Sequence, residues 1–246
     1  TCTACGACVS ACPRGALNLN EGAVKRQNDK CRVCGQCALA CRPKARSLSG
    51  RQASVDAICS EVREHWRIFM QSNGGVTCSG GEARAQPVFW KRLLTELHDE
   101  LGFHTCLDTT GYAHWETLRD MLPHIDLILL DIKHMDDSIH KKGTGMGNGS
   151  ILHNATELGK LKFPVTVRLP LIPGFNDGMS NLEQMGELLK DIGLNTIEIM
   201  PYHNFGLSKY SALQMEYHGP LSTIPETSMA RKILREFDLD VTVHGE

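Results

Sequence analysis

The chain has 246 residues, 41% of them hydrophobic, with a formal net charge of −2. That length allows one large domain and a small one, and the near-neutral charge gives no electrostatic case for nucleic acid. No apolar run approaches the roughly 20 residues of a membrane span, and the expectation is a cytoplasmic protein with neither signal peptide nor membrane segment.

Eight of the eleven cysteines fall in the first 41 residues. Cys2, Cys5, Cys8 and Cys12, followed by Pro13, read C-x2-C-x2-C-x3-C-P. Cys31, Cys34, Cys37 and Cys41 repeat the spacing, with Pro43 one place later. This is the spacing of two-cluster bacterial ferredoxins: three thiolates on a tight loop each hold an iron of one [4Fe–4S] cube, and the distant fourth crosses to the other cube. Structural zinc is the alternative, because paired C-x2-C also suits tetrahedral sulfur sites, but it leaves the third and fourth cysteines of each run surplus. Cysteines so spaced imply a reducing compartment rather than a disulfide scaffold. Residues 1–50 are therefore expected to form an iron–sulfur module in which clusters replace a hydrophobic core.

From Ser54 onward the texture changes. Helices are expected over 54–72, 87–101, 114–122, 151–160, 180–192 and 228–237. Phe89, Leu93, Leu97 and Leu101 mark one face of the second, and Ser180 with Glu183 suggests a capping box for the fifth. Strands are expected over 75–79, 103–109, 125–132, 165–171, 196–200 and 240–244, the third being a nearly continuous apolar run of the kind buried on both faces of a parallel sheet. Alternating strands and helices argue a parallel α/β architecture over residues 51–246, for which an open doubly wound sheet and a barrel fit equally well.

Nearly every strand ends in polar or glycine-rich residues. Ser79-Gly80-Gly81-Glu82 follows the first and Asp108-Thr109 ends the second. Asp131 and Lys133 close the third, Arg168 lies in the fourth, and His203 follows the fifth. Active sites of α/β barrels are built at the carboxyl ends of strands, and a carboxylate, an ammonium and a guanidinium converging on one rim would hold a zwitterionic or anionic ligand. Singly, each has a plainer reading as a turn, a surface ion pair or a helix cap. Cys59, Cys78 and Cys106 have no cluster spacing and read as small buried hydrophobes.

Three stretches, Gly75-Val76-Thr77-Cys78-Ser79-Gly80-Gly81-Glu82, His104 to Gly111 and Asp126 to Lys133, carry a resemblance that Pro173 to Asp177 and Pro201-Tyr202-His203 continue. The chain resembles, over essentially its whole length, the activating enzymes of glycyl radical enzymes within the radical S-adenosyl-L-methionine (SAM) superfamily. The doubled cysteine run narrows this to the subgroup with a ferredoxin-like insert. The resemblance implies a partial (β/α)6 barrel lacking its first strand. It also implies SAM bound by Ser79, Gly80, Gly81 and Glu82 at its amino end and by Asp131, Lys133, Arg168 and His203 elsewhere, with Asp108 and Thr109 near a cation. Reductive cleavage of SAM would yield a 5′-deoxyadenosyl radical that takes hydrogen from a glycine of the partner enzyme. A flavodoxin or ferredoxin-type reductant would supply the electron, relayed by the two insert clusters.

The family's catalytic cluster uses C-x3-C-x2-C, and no such triplet occurs in the sequence. After Cys8 and Cys12 the third position is Gly15, and after Cys37 and Cys41 it is Lys44. The expectation is a chain that begins inside the insert, its first strand and third cluster lying upstream, and that is inactive as it stands. The competing readings are a two-cluster electron-transfer protein with a catalytically idle barrel, and a docking protein without chemistry.

Overall fold

The structure, a computed structural model, describes all residues except 81, 83, 84, 214 and 220–225. The chain divides into two compact units, Thr1–Ser54 and Val55–Glu246.

In the first unit each cysteine run leads into one short helical turn, α1 (Ala7–Ser10) and α2 (Gln36–Leu39). Each helix is opened by a left-handed glycine, Gly6 with φ 75° and Gly35 with φ 79°, a conformation that a Cβ disfavours. The backbone repeats with the cysteines at an offset of 29 residues: Ala4 and Val33 have φ 54° and 52°, Gly15 and Lys44 φ 58° and 52°. The same cysteine loop is thus built twice. Between the copies, β1 (Leu17–Asn20) and β2 (Ala23–Arg26) pair antiparallel, Leu17 opposite Arg26. Their turn, Glu21-Gly22, has positive φ at both residues, which matches the twist of a two-residue hairpin. Among the described residues only Cys8, Ala16 and Leu17 are buried apolar groups of this unit, too little to hold it by hydrophobic burial.

The second unit is built on six parallel strands: β3 (Gly75–Cys78), β4 (His104–Thr109), β5 (Leu127–Asp131), β6 (Val165–Leu171), β7 (Thr196–Pro201) and β8 (Asp240–Val243). They neighbour one another in strict chain order, all parallel. A doubly wound sheet reverses its order at a switch point; this one winds in a single direction, as a barrel wall does. Alternation then separates the faces. Ile128, Leu130, Val167, Leu169, Ile197 and Ile199 are fully buried and join one core cluster with residues of the flanking helices. Leu129, Asp131, Arg168 and Glu198, the intervening positions, are half-buried on the other face.

The helices depart from expectation in places. The first is two, α3 (Val55–Glu64) and α4 (Trp66–Ser72), broken at His65. The second, α5 (Pro87–Thr95), starts on its proline and widens into a π turn, Glu96–Glu100. Next come α6 (Trp115–Arg119) and a 3₁₀ turn, Leu122–His124. A helix not anticipated, α7 (Asp137–Thr144), is capped by Asp136, whose carboxylate accepts from Ile139 N–H at 2.9 Å. After α8 (Gly149–Lys160), α9 (Met179–Ile192) is capped by Gly178, not by the proposed box. Ser180 lies already inside the first turn, and its hydroxyl accepts from Gln184 at 3.0 Å. A further unanticipated helix, α10 (Leu207–Leu213), precedes α11 (Thr227–Arg235). Among the described residues no helix is long and apolar enough to cross a membrane.

Candidate functional site

The register of the sheet aligns Asp131 with Arg168 and Arg168 with Glu198 across β5, β6 and β7. Around this alignment the half-buried face carries a row of alternating charge. Ser79 Oγ donates to Asp108 Oδ2 at 2.9 Å, and Arg168 Nη1 meets the same oxygen at 3.0 Å. On its other side Arg168 Nε lies 3.7 Å from Glu198 Oε2 and 2.9 Å from the sulfur of Met200. Glu198 in turn meets His244 Nδ1 at 2.8 Å, just past β8. Arg168 was expected on the rim; it sits mid-strand, with its side chain only 16% exposed. Beside the row, Lys133 Nζ pairs with Asp131 Oδ2 at 2.8 Å.

Glu82 is held by the end of β4. It accepts from the Thr109 hydroxyl at 2.5 Å, from Thr110 N–H at 3.1 Å and from the Thr110 hydroxyl. With Thr110, Tyr112 and Lys133 it lines a cavity of about 260 Å³. Gly80 has φ 113° and open space where a Cβ would stand. Gly81 lies outside the described residues. His203 stacks on Phe205 at 4.4 Å, and its Nδ1 accepts from the Phe205 N–H at 3.4 Å, contacts within its own loop.

The loops after β5 and β6 are tied by a fully buried amide. Asn176 donates to the carbonyls of Lys133 at 2.8 Å and Pro170 at 2.7 Å, and accepts from Ile172 N–H at 2.7 Å. Its own carbonyl accepts from Asn181 at 2.9 Å. The backbone of Lys133 is thus positioned by a residue 43 places on. Glu198 and His244 were not foreseen as part of the row; the Ile-Glu-Ile alternation of β7 was the available signal, since period two turns Glu198 to the face of Arg168.

In the first unit all eight cysteines of the two runs are free thiols. Cys12, the last of the first run, lines one cavity of about 70 Å³ together with Cys31, Cys34 and Cys37 of the second. Backbone N–H groups point at sulfur: Ala4 N lies 3.4 Å from Cys2 Sγ and Ala16 N 3.3 Å from Cys12 Sγ. Backbone donors from Ala7 hold the Cys5 thiol below its ordinary range, and those from Arg14 and Ala16 do the same at Cys12. Cys59, Cys78 and Cys106 are buried free thiols, and burial pushes Cys78 up to about 12.

A family model for the 4Fe-4S dicluster domain matches residues 1–45. An isethionate sulfite-lyase activating enzyme of Nitratidesulfovibrio vulgaris is 36% identical over 217 residues, 86% of this chain and 70% of its own. A trans-4-hydroxy-L-proline dehydratase activating enzyme of Clostridioides difficile is 34% identical over 239 residues, 96% of this chain and 79% of its own. The solved structure of a domain of pyruvate-formate lyase-activating enzyme from Bacteroides vulgatus shares the fold with a TM-score of 0.59 at 29% identity, over 70% of this chain and 99% of that one. With the single-direction parallel sheet and the doubled cysteine loop already in hand, these likenesses mean that the chain belongs to the glycyl radical enzyme activating enzymes of the radical SAM superfamily.

Proposed function

We propose that the half-buried face of the sheet binds SAM and that the two cysteine sets hold two [4Fe–4S] clusters. On this reading the protein serves to install a glycyl radical on a large partner enzyme. The observation that carries this is the charged row Asp108–Arg168–Glu198 with Asp131–Lys133 beside it. SAM presents an ammonium, a carboxylate and a sulfonium, and a row of alternating sign offers a partner for each. Arg168 and Lys133 would take the carboxylate, while Asp108, Asp131 and Glu82 would take the ammonium and the ribose hydroxyls. The side chains of the Arg168 pairs are 16% and 25% exposed, so water screens them less than surface ions. Ser79, Gly80, Gly81, Thr109 and His203 complete the proposed cofactor contacts.

For the clusters, the grouping of Cys12 with Cys31, Cys34 and Cys37 supports one complete set and leaves Cys2, Cys5, Cys8 and Cys41 for the other. Hydrogen bonds from Ala4 and Ala16 to sulfur favour the thiolate that iron needs. When bound, SAM beside a reduced cluster would supply one-electron reductive chemistry, with Arg168, Lys133, Asp108, Asp131 and Glu82 holding SAM in place. With four thiolates in each set, the 246 residues are assigned SAM binding and electron relay, and SAM cleavage requires a third cluster with ligands not among them. A small one-electron carrier of flavodoxin or ferredoxin type is the proposed reductant.

Anaerobic titration calorimetry of the cluster-loaded protein with SAM tests the reading. Binding by the wild type, weakened at least tenfold in Lys133→Ala and in Arg168→Ala, supports it. Wild-type protein that does not bind SAM overturns it in favour of electron transfer beside an idle barrel, the reading that the missing cysteine triplet favours.

A further inference from the structure

A second cluster of ligating side chains lies at the other ends of the strands, where β4 and β5 begin. The π turn Glu96–Glu100 carries His98 and Asp99, and the 3₁₀ turn Leu122–His124 carries His124. The Asp99 carboxylate stands between the two imidazoles, Oδ1 at 2.7 Å from His98 Nδ1 and Oδ2 at 2.9 Å from His124 Nδ1. Among the described residues these are the only three His, Cys, Asp or Glu side chains with donor atoms all within 4.8 Å. His124 Nδ1 is buried, and the partner it faces is the same Asp99 carboxylate that meets His98, so two imidazole nitrogens and one carboxylate are gathered at one place.

Support behind the three side chains is also present. His98 Nε2 faces Asp126 Oδ1 at 3.5 Å, and Asp126 Oδ2 is fixed by the N–H of Thr105 at 2.7 Å. The hydroxyl of Thr105 donates to the His124 carbonyl at 2.7 Å, so one buried threonine of β4 anchors both sides of the cluster. A carboxylate behind a histidine's second nitrogen is the usual orienting partner of a metal-ligating imidazole.

We infer that His98, Asp99 and His124 form a binding site for a divalent transition-metal ion, with zinc as the best fit. Two imidazoles and one carboxylate suit zinc or iron(II) and are a poor set for calcium or magnesium, which take oxygen ligands. Zinc–nitrogen and zinc–oxygen bonds near 2.0–2.2 Å set tetrahedral ligand atoms roughly 3.4 Å apart. The 2.7 and 2.9 Å pairs must therefore open by about 0.7 and about 0.5 Å. His98 and Asp99 are 31% and 39% exposed, free enough to rotate that far, and water would fill the fourth position. The ion would staple the loop before β4 to the loop before β5, a structural role away from the cofactor row.

The test is metal analysis of the cluster-loaded protein after anaerobic equilibration with micromolar zinc and desalting. The expected result is one zinc per chain with iron content unchanged. Asp99→Asn, a change at a partly exposed side chain, and His124→Ala should each lose that zinc or bind it at least tenfold more weakly while keeping their iron. Absence of retained zinc in the wild type overturns the site. So does equal retention by wild type, Asp99→Asn and His124→Ala, which would assign the zinc to thiols.

Discussion

Replacing Asn176 by leucine keeps a similar shape and removes every hydrogen bond of the amide. Three part-buried backbone groups around the fully buried amide then lose a partner: the carbonyls of Lys133 and Pro170 and the N–H of Ile172. Each buried group left unpaired costs about 1–3 kcal/mol, and carbonyls with a second lone pair fall at the lower end, so the sum is about 3–5 kcal/mol. Against a typical stability of about 5–15 kcal/mol this is severe. The loop carrying Lys133 would also lose its anchor, and SAM affinity should fall with stability. Urea unfolding followed by tryptophan fluorescence measures the first effect cleanly. All three tryptophans, Trp66, Trp90 and Trp115, lie in the second unit, so the signal follows the unfolding of that unit. A loss below about 1 kcal/mol, the net value of a single ordinary hydrogen bond, would refute the idea that Asn176 holds the two loops together.

Arg168→Ala should destabilise the second unit more than Lys133→Ala, because Arg168 bridges two carboxylates and Lys133 meets one; equal midpoints in urea would contradict this. Anaerobic reconstitution should load about eight irons, from two cubane clusters. Cys12→Ala and Cys34→Ala should remove the same cluster, so their double variant should lose no more iron than either alone, whereas Cys12→Ala with Cys5→Ala should lose both. In cluster-free protein, alkylation mapped by peptide mass should label Cys5 and Cys12 before Cys78. The first unit buries too little apolar surface to stay closed without clusters, which leaves both thiols open to reagent, while burial pushes Cys78 up to about 12. Labelling of Cys78 in step with Cys5 near pH 8, in folded protein, would count against that order.

Local pattern carried much of this protein. The doubled cysteine spacing is a property of short loops, and it named the iron–sulfur module before any coordinates. The six strands follow from apolar runs with a period of two, and most helices from 3.6-residue spacing and a proline at a first turn. The segments over 137–144 and 207–213 escaped because lysine, glycine and serine dilute their apolar spacing; the first is held by the Asp136 cap and its place in the fold. Whether the strands wound one way or doubly was open in the sequence, because either order uses the same segments; inter-strand register decided it. The charged row has the same origin. Asp108, Arg168 and Glu198 lie on different strands, and only the pairing of β4, β5, β6 and β7 sets one guanidinium between two carboxylates. His98 and His124, separated by a whole strand and a helix, meet across Asp99 for the same physical reason. Sequence periodicity tells which face a side chain takes, but its partners on that face are chosen by contacts between segments far apart in the chain.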